Sequence, residues 1–134
     1  MKRAVLYADG ACRGNPGPAG SGAALVTEEG HVVEEAMKYL GQGTNNVAEY
    51  MALIIGLEAA LKHEVEDLEV RMDSKLVVEQ MNRRWKVRDA KLLPLAARAR
   101  ELVALIARVR IHHIPRDQNA IADALANRAI DAAK

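Results

Sequence analysis

Aromatic side chains are scarce in this sequence, with no Phe, three Tyr and one Trp among 134 residues. A core must therefore come from Val, Leu, Ile, Met and Ala. The same scarcity argues against a single-strand nucleic-acid binder that relies on several stacking platforms. Cysteine is nearly absent: Cys12 stands alone, so neither an internal disulfide nor a metal site built on Cys ligands can form. A reducing, cytoplasmic setting is the expectation. No apolar run approaches the roughly 18–20 residues of a membrane span, and no membrane partner is expected. The basic start, Met1-Lys2-Arg3, is followed by only a short apolar stretch before Asp9, so a signal peptide is not expected. What is present suits a globule with a real core: 50% apolar and 28% charged residues. That composition excludes a disordered chain. The length is that of one ordinary domain, so a single domain over residues 1–134 is expected, and a monomer.

Net charge is only +1, but it is unevenly spread. Between Glu28 and Glu79 there are twelve acids and four bases; between Arg83 and Arg110 there are nine bases and two acids. A basic block inside a neutral protein suggests a surface for a polyanion, and equally a solvated helix face.

Lys2–Ala8 is a short apolar run ending in Asp9-Gly10 and reads as a central strand. Gly14-Asn15-Pro16-Gly17-Pro18 is turn chemistry. Gly20–Thr27 and His31–Tyr39 read as a hairpin about Glu28-Glu29-Gly30, followed by a loop at Gly41–Thr44. From Asn46 to about His63 the apolar spacing predicts a helix, with Asn46 and Glu49 resembling a capping box. Leu68–Met72 alternates like a strand, and Asp73 or Ser74 would cap a helix through Met81. Asn82–Asp89 reads as a basic connection, Ala90–Ala107 as a long helix, Val109–Ile114 as a last strand and Asn119–Ala132 as a final helix. The order βββαβααβα predicts an α/β fold, one mixed sheet covered by helices.

Asp9, Glu49 and Asp73 fall at the carboxyl ends of strands or the start of a helix. Taken singly, each has an innocent reading as a turn or cap residue. Taken together, they fall where ligands of α/β sheets gather. Asp123 lies in the last helix at four-residue spacing from Asn119 and Asn127, a polar stripe opposite Ile121, Leu125 and Ile130. Like charges in one cleft repel, and hard divalent cations remove that repulsion. Acids without a Cys or His pair favour Mg2+ or Mn2+ over zinc. Two such ions, about 3.5–4 Å apart, can act together in phosphodiester cleavage.

Four stretches, in order, resemble type 1 ribonuclease H. They are Tyr7-Ala8-Asp9-Gly10-Ala11-Cys12-Arg13-Gly14-Asn15-Pro16-Gly17-Pro18, then Thr44-Asn45-Asn46-Val47-Ala48-Glu49-Tyr50, then Met72-Asp73-Ser74-Lys75-Leu76-Val77-Val78, then Pro115 through Asn127. The resemblance covers nearly the whole chain. It implies a five-stranded mixed sheet, three strands antiparallel and two parallel, flanked by helices. It implies metal-dependent cleavage of the RNA strand of RNA/DNA hybrids, leaving 5′-phosphate and 3′-hydroxyl ends. Asp9, Glu49, Asp73 and Asp123 match the family's catalytic, metal-binding acids, with Mg2+, or Mn2+, as two ions when substrate is bound. Cys12, Gly14, Asn15, Asn45 and Asn46 match positions that approach the hybrid's minor groove, where the 2′-hydroxyl separates RNA from DNA. Thr44 matches a threonine that holds a phosphate of the DNA strand.

Two departures stand out. Asn82–Asp89 is too short for the basic helix and loop that many bacterial members use as a substrate handle, so Arg83, Arg84, Trp85 and Lys86 are the candidates to replace it. The alternative for Trp85 is a core plug. The family's catalytic histidine matches His113, ten positions before Asp123, yet His113 follows a strand pattern with Val109 and Ile111 and no Gly precedes the helix. A packing role for His113 competes with a proton-carrying one, and Arg116 is the alternative cation. Rival functions are a catalytically silent hybrid-binding module, and related nuclease chemistry on double-stranded RNA or in DNA strand transfer.

Overall fold

The N-terminal apolar run is the central strand of a five-stranded sheet in the computed structural model, which describes residues 1–133. This strand, β1 (Arg3–Cys12), pairs antiparallel with β2 (Gly17–Val26), which pairs antiparallel with β3 (Val32–Gly43). On its other side β1 pairs parallel with β4 (Asp67–Met72), and β4 pairs parallel with β5 (Arg108–His113). The spatial order is β3-β2-β1-β4-β5. The described helices are α1 (Asn45–Lys62), α2 (Lys75–Met81), α3 (Leu93–Ala104) and α4 (Ala120–Ala132), the last preceded by a 3-10 turn at Arg116–Gln118. The element order and the mixed sheet are those expected from the sequence.

Alternation along β1 sorts the two faces of the sheet. Leu6 and Ala8 face α1 and join a large core with Leu53, Leu57, Leu68 and Val70. Val5 and Tyr7 face α4 and pack near Ala24, Val26, Leu125 and Ile121. Burying one such aliphatic side chain is worth about 1.5–3 kcal/mol, so the larger α1 layer carries most of the stability. With few aromatics to fill space, the layers close by bringing backbones together. A Cβ on Gly10 would sit 2.4 Å from the backbone of Ala48 and Glu49, and one on Gly22 would sit 2.5 Å from Ala126 N. Only glycine lets α1 and α4 lie so near the strands.

Several boundaries differ from those read in the sequence. β1 does not stop at Ala8: Gly10–Cys12 continue the ladder against Ala19–Ser21, so Asp9 is inside a strand. β3 absorbs the expected loop at 41–43, because Gly41–Gly43 pair with Gly17–Ala19. Asn46 does not form a capping box with Glu49. Thr44, extended at φ −114° and ψ 161°, is the N-cap, its hydroxyl accepting from the Val47 N–H at 3.3 Å. The long helix expected from Ala90 is shorter, with Pro94 in its first turn and the Asp89 carboxylate accepting from the Lys91 N–H at 2.8 Å just before it. Trp85 is not a core plug; 45% of its surface is exposed.

Candidate active site

Strand pairing places the first two carboxylates. The last β1–β4 pair is Ala8 with Met72. One residue on, β4 leaves the sheet while β1 continues, and Asp9 and Asp73 stand at that fork. Glu49 arrives from one turn inside α1, brought against β1 by the missing side chain of Gly10. Ligand oxygens of Asp9, Glu49 and Asp73 all lie within 4.8 Å of one another. Asp9 is 4% exposed and Glu49 5%.

Such a cluster cannot hold three full charges comfortably. Burial first, then the charge of Asp73, pushes the Asp9 pKa up to about 8. Burial first, then the charge of Asp9, pushes Glu49 up to about 10, despite a hydrogen bond from the Gly10 N–H. The two acids raise each other's affinity for a proton, so they titrate as a pair. Glu49 Oε2 is buried without a hydrogen-bond partner. A buried acceptor beside two further carboxylates is a hard-oxygen donor set, and it fits a divalent cation that would supply the missing charge.

These acids lie in a cleft of about 550 Å³ lined also by Gly10, Ala11, Cys12, Arg13, Asn15, Asn45, Ser74, Arg116, Asp123 and Asn127. Asp123 is on the rim rather than in the tight cluster, and its charge contributes to raising Asp9. Its carboxylate and its main-chain carbonyl both accept from the Asn127 amide, at 3.4 and 3.0 Å. Asn15 Oδ1 accepts from the Asn45 N–H at 3.1 Å, tying the β1–β2 turn to the start of α1. Cys12 Sγ lies 2.6 Å from the Gly14 carbonyl, and Gly14 takes a positive φ of 82° in that turn.

Other expected residues flank the cleft lining or lie beyond it. Gly14, Thr44 and Asn46 are outside the cleft lining, with Thr44 serving as the α1 cap. Arg83, Arg84, Trp85 and Lys86 are in the connection after α2, also outside it. Arg84 is occupied by Glu79, at 2.6 and 2.8 Å. The Trp85 ring has Lys75 Nζ 6.0 Å from its centroid, and Lys75 follows the cleft residue Ser74.

His113 is not the packing residue that its strand pattern suggested. It is exposed at the end of β5 and lies in a separate groove with Asn82, Arg84, Arg110 and His112. β5 is an edge strand that ends level with the fork but one strand out, His113 pairing with Met72. Arg116, carried by the turn before α4, lines the cleft, as does Arg13 from the β1–β2 turn.

Three residues beyond those proposed from the motifs matter to the geometry. Asn119, fully buried, donates to the Ala8 carbonyl at 2.9 Å and to Asp73 Oδ1 at 3.3 Å, so it pins the start of α4 beside two of the acids. Arg13 reaches from the β1–β2 turn to Asp131 at 2.5 Å and to Asn127 Oδ1 at 3.3 Å. The polar spacing 119, 123, 127 marked Asn119 and Asn127 in the sequence without giving them a role. Arg13 carries no such signal.

A family model described as reverse transcriptase-like matches residues 7–129. A bifunctional protein of Mycobacterium tuberculosis, Rv2228c, is 48% identical over 132 residues, covering 98% of this chain and 36% of that protein. The chain thus spans about a third of the length of the first curated relatives it matches. Ribonuclease H of Alcanivorax borkumensis is 34% identical over 148 residues, covering 100% of this chain and 95% of that one. The crystal structure of LC11-RNase H1 in complex with an RNA/DNA hybrid superposes with a TM-score of 0.91 at 41% identity, covering 97% of this chain and 98% of that one.

Proposed function

This chain belongs to the type 1 ribonuclease H family, and from that premise we propose that it is an endonuclease that hydrolyses the RNA strand of RNA/DNA hybrids, leaving 5′-phosphate and 3′-hydroxyl ends. The observation that carries the reading is the convergence of Asp9, Glu49 and Asp73 in a buried cluster, on a cleft rimmed by asparagines and arginines. A protein that only bound the hybrid would gain nothing from three carboxylates facing its phosphates.

In this reading Asp9, Glu49 and Asp73 hold the metal, with Asp123 closing the rim. The ions are Mg2+, with Mn2+ as a substitute, two per site when substrate is present. Bound there, divalent cations supply positive charge to the scissile phosphate and lower the pKa of water. The chain's own groups do the rest. Asn119 fixes the Asp73 carboxylate, and Asn127 fixes that of Asp123. Asn15 and Asn45, joined by their hydrogen bond, present amide groups to the minor groove, where a 2′-hydroxyl can both donate and accept. Cys12, Gly14 and Asn46 flank that contact, and Thr44 keeps its hydroxyl near the same helix start for a phosphate of the DNA strand. Arg116 sets a cation at the cleft wall opposite the acids' negative charge. Arg83, Trp85 and Lys86 extend the contact along the backbone of the hybrid. In this reading the chain acts as one domain and as a monomer, in the cytoplasm. No described helix is long and apolar enough to cross a membrane.

The test is a cleavage assay with end-labelled RNA/DNA hybrid, duplex RNA, duplex DNA and single strands, each with Mg2+, Mn2+ or chelator. Hybrid-selective, metal-dependent cuts bearing 5′-phosphates are expected. Hybrid binding without cleavage in either metal would leave a silent binding module, and cleavage of duplex RNA at a comparable rate would remove the selectivity.

A further inference from the structure

The carboxylate cleft does not account for a second buried polar cluster, on the α1 side of the sheet. Gln80, near the end of α2, is 4% exposed, and Tyr50, the neighbour of Glu49, is fully buried. The Tyr50 hydroxyl donates to Gln80 Oε1 at 2.6 Å. Gln80 Nε2 donates to the Lys86 carbonyl at 3.2 Å. Arg100 Nη2 of α3 donates to the Gln80 main-chain carbonyl, also at 3.2 Å. One residue therefore joins α1, α2, α3 and the connection between the last two. A buried amide is tolerated only when its polar atoms are matched, and a matched network fixes one arrangement of the parts it joins.

That connection has few other anchors. The N–H groups of Arg84 and Trp85 bond the Glu79 carbonyl at 2.9 and 3.2 Å, after Arg83 turns the chain through a positive φ of 61°. Residues 86–89 have no regular structure. Between Trp85 and the turn set by Asp89, the bond from Gln80 ties the backbone, together with the packing of Val87 against the core. Trp85 and Lys86 are exposed, and Trp85 stands beside Lys75, one residue from the cleft.

We propose that Gln80 is a positioning residue for substrate: by holding the Lys86 carbonyl against Tyr50, it keeps Trp85 and Lys86 ordered beside the cleft before the hybrid arrives. Ordering done in the free protein is not charged to binding, so its loss raises KM and leaves kcat nearly intact. The proposal rests on the hybrid-cleavage reading, but it has its own readout. Trp85 is the sole tryptophan, so its fluorescence reports on this connection alone, with or without turnover.

The test compares wild type with Gln80→Met, which keeps the volume and removes both side-chain bonds, and with Tyr50→Phe, which removes one. For Gln80→Met the expectation is a KM for hybrid raised about tenfold with kcat within about twofold, and stronger acrylamide quenching of Trp85. Tyr50→Phe should shift both in the same direction by less, and it carries the test at a temperature where it is folded if Gln80→Met is not. In a Trp85→Ala/Lys86→Ala background, Gln80→Met should raise KM no further. Unchanged KM in both single variants, or a KM effect that multiplies in full in that background, overturns the proposal. If wild type fails to cleave hybrid, the functional reading falls by itself, and Trp85 quenching that is equal in all three proteins then overturns the positioning role.

Discussion

Replacing Asp9 by Asn should abolish hybrid cleavage and, in the absence of metal, stabilise the protein. The carboxylates are arranged against folding. Asp9 has its pKa pushed up to about 8 by burial and by Asp73, against about 4 in the unfolded chain. Between those values the folded state binds a proton that the unfolded state releases, so stability falls as pH rises through the window. At pH 7 the full linkage is about 4 kcal/mol, from three pK units at ~1.36 kcal/mol each. Asn recovers only part of it, because its amide is itself a polar group buried in the cluster. A gain of about 1–3 kcal/mol is expected, or roughly 4–12 °C in Tm for a domain of this size. Thermal melts in chelator from pH 4.5 to 8.5 should show the two proteins nearly equal at the acid end, with the variant pulling ahead toward pH 8. Saturating Mg2+ should narrow the gap or invert it, since the cation stabilises the wild type more. A metal-free wild type more stable than Asp9→Asn across this range would refute the argument, as would full activity in the variant.

Asn119→Ala removes two buried hydrogen bonds and should destabilise by about 1–3 kcal/mol while lowering kcat, because Asp73 and the start of α4 both lose their tie; unchanged kcat per folded molecule would show that Asp73 needs no such support. Gly22→Ala forces a methyl group to within 2.5 Å of the α4 backbone and should lower stability by about 1–3 kcal/mol, measured by urea unfolding. Arg83→Ala with Lys86→Ala should raise KM and flatten the salt dependence of binding, whereas Arg84→Ala alone should do little, since Glu79 already occupies that guanidinium. His113→Ala should leave Tm and kcat nearly unchanged and Arg116→Ala should lower kcat or raise KM; the reverse pattern would move the working cation to the β5 groove.

Periodicity and local chemistry were enough to read the element order and the mixed sheet, because burial writes alternating or three-to-four spacing directly into the residues. Asp9, Glu49 and Asp73 were legible for a different reason, as carboxylates conspicuous beside apolar runs, while Asp123 joined them through the motif resemblance. Boundaries were not. Nothing local says that Gly10–Cys12 and Gly41–Gly43 stay in the sheet, since glycine-rich pieces have weak propensity and pair only because β2 lies between them. The capping of α1 likewise moved from Asn46 to Thr44 through the path of the chain leaving β3.

What tertiary structure alone decided is which of the conspicuous residues work together. The end of β4 pairing brings Asp9 beside Asp73, and the bare face of Gly10 admits Glu49; neither follows from spacing along the chain. His113 and Arg116 are three residues apart in sequence, yet the edge position of β5 sends the first to a separate groove while the turn after it delivers the second to the cleft. Gln80 was invisible among the charged residues around it, because a buried amide differs from an exposed one only by its partners. Sequence determines which groups are available and on which elements; the meeting of groups from distant elements depends on strand register and close approach, and these are set only when the whole sheet is assembled.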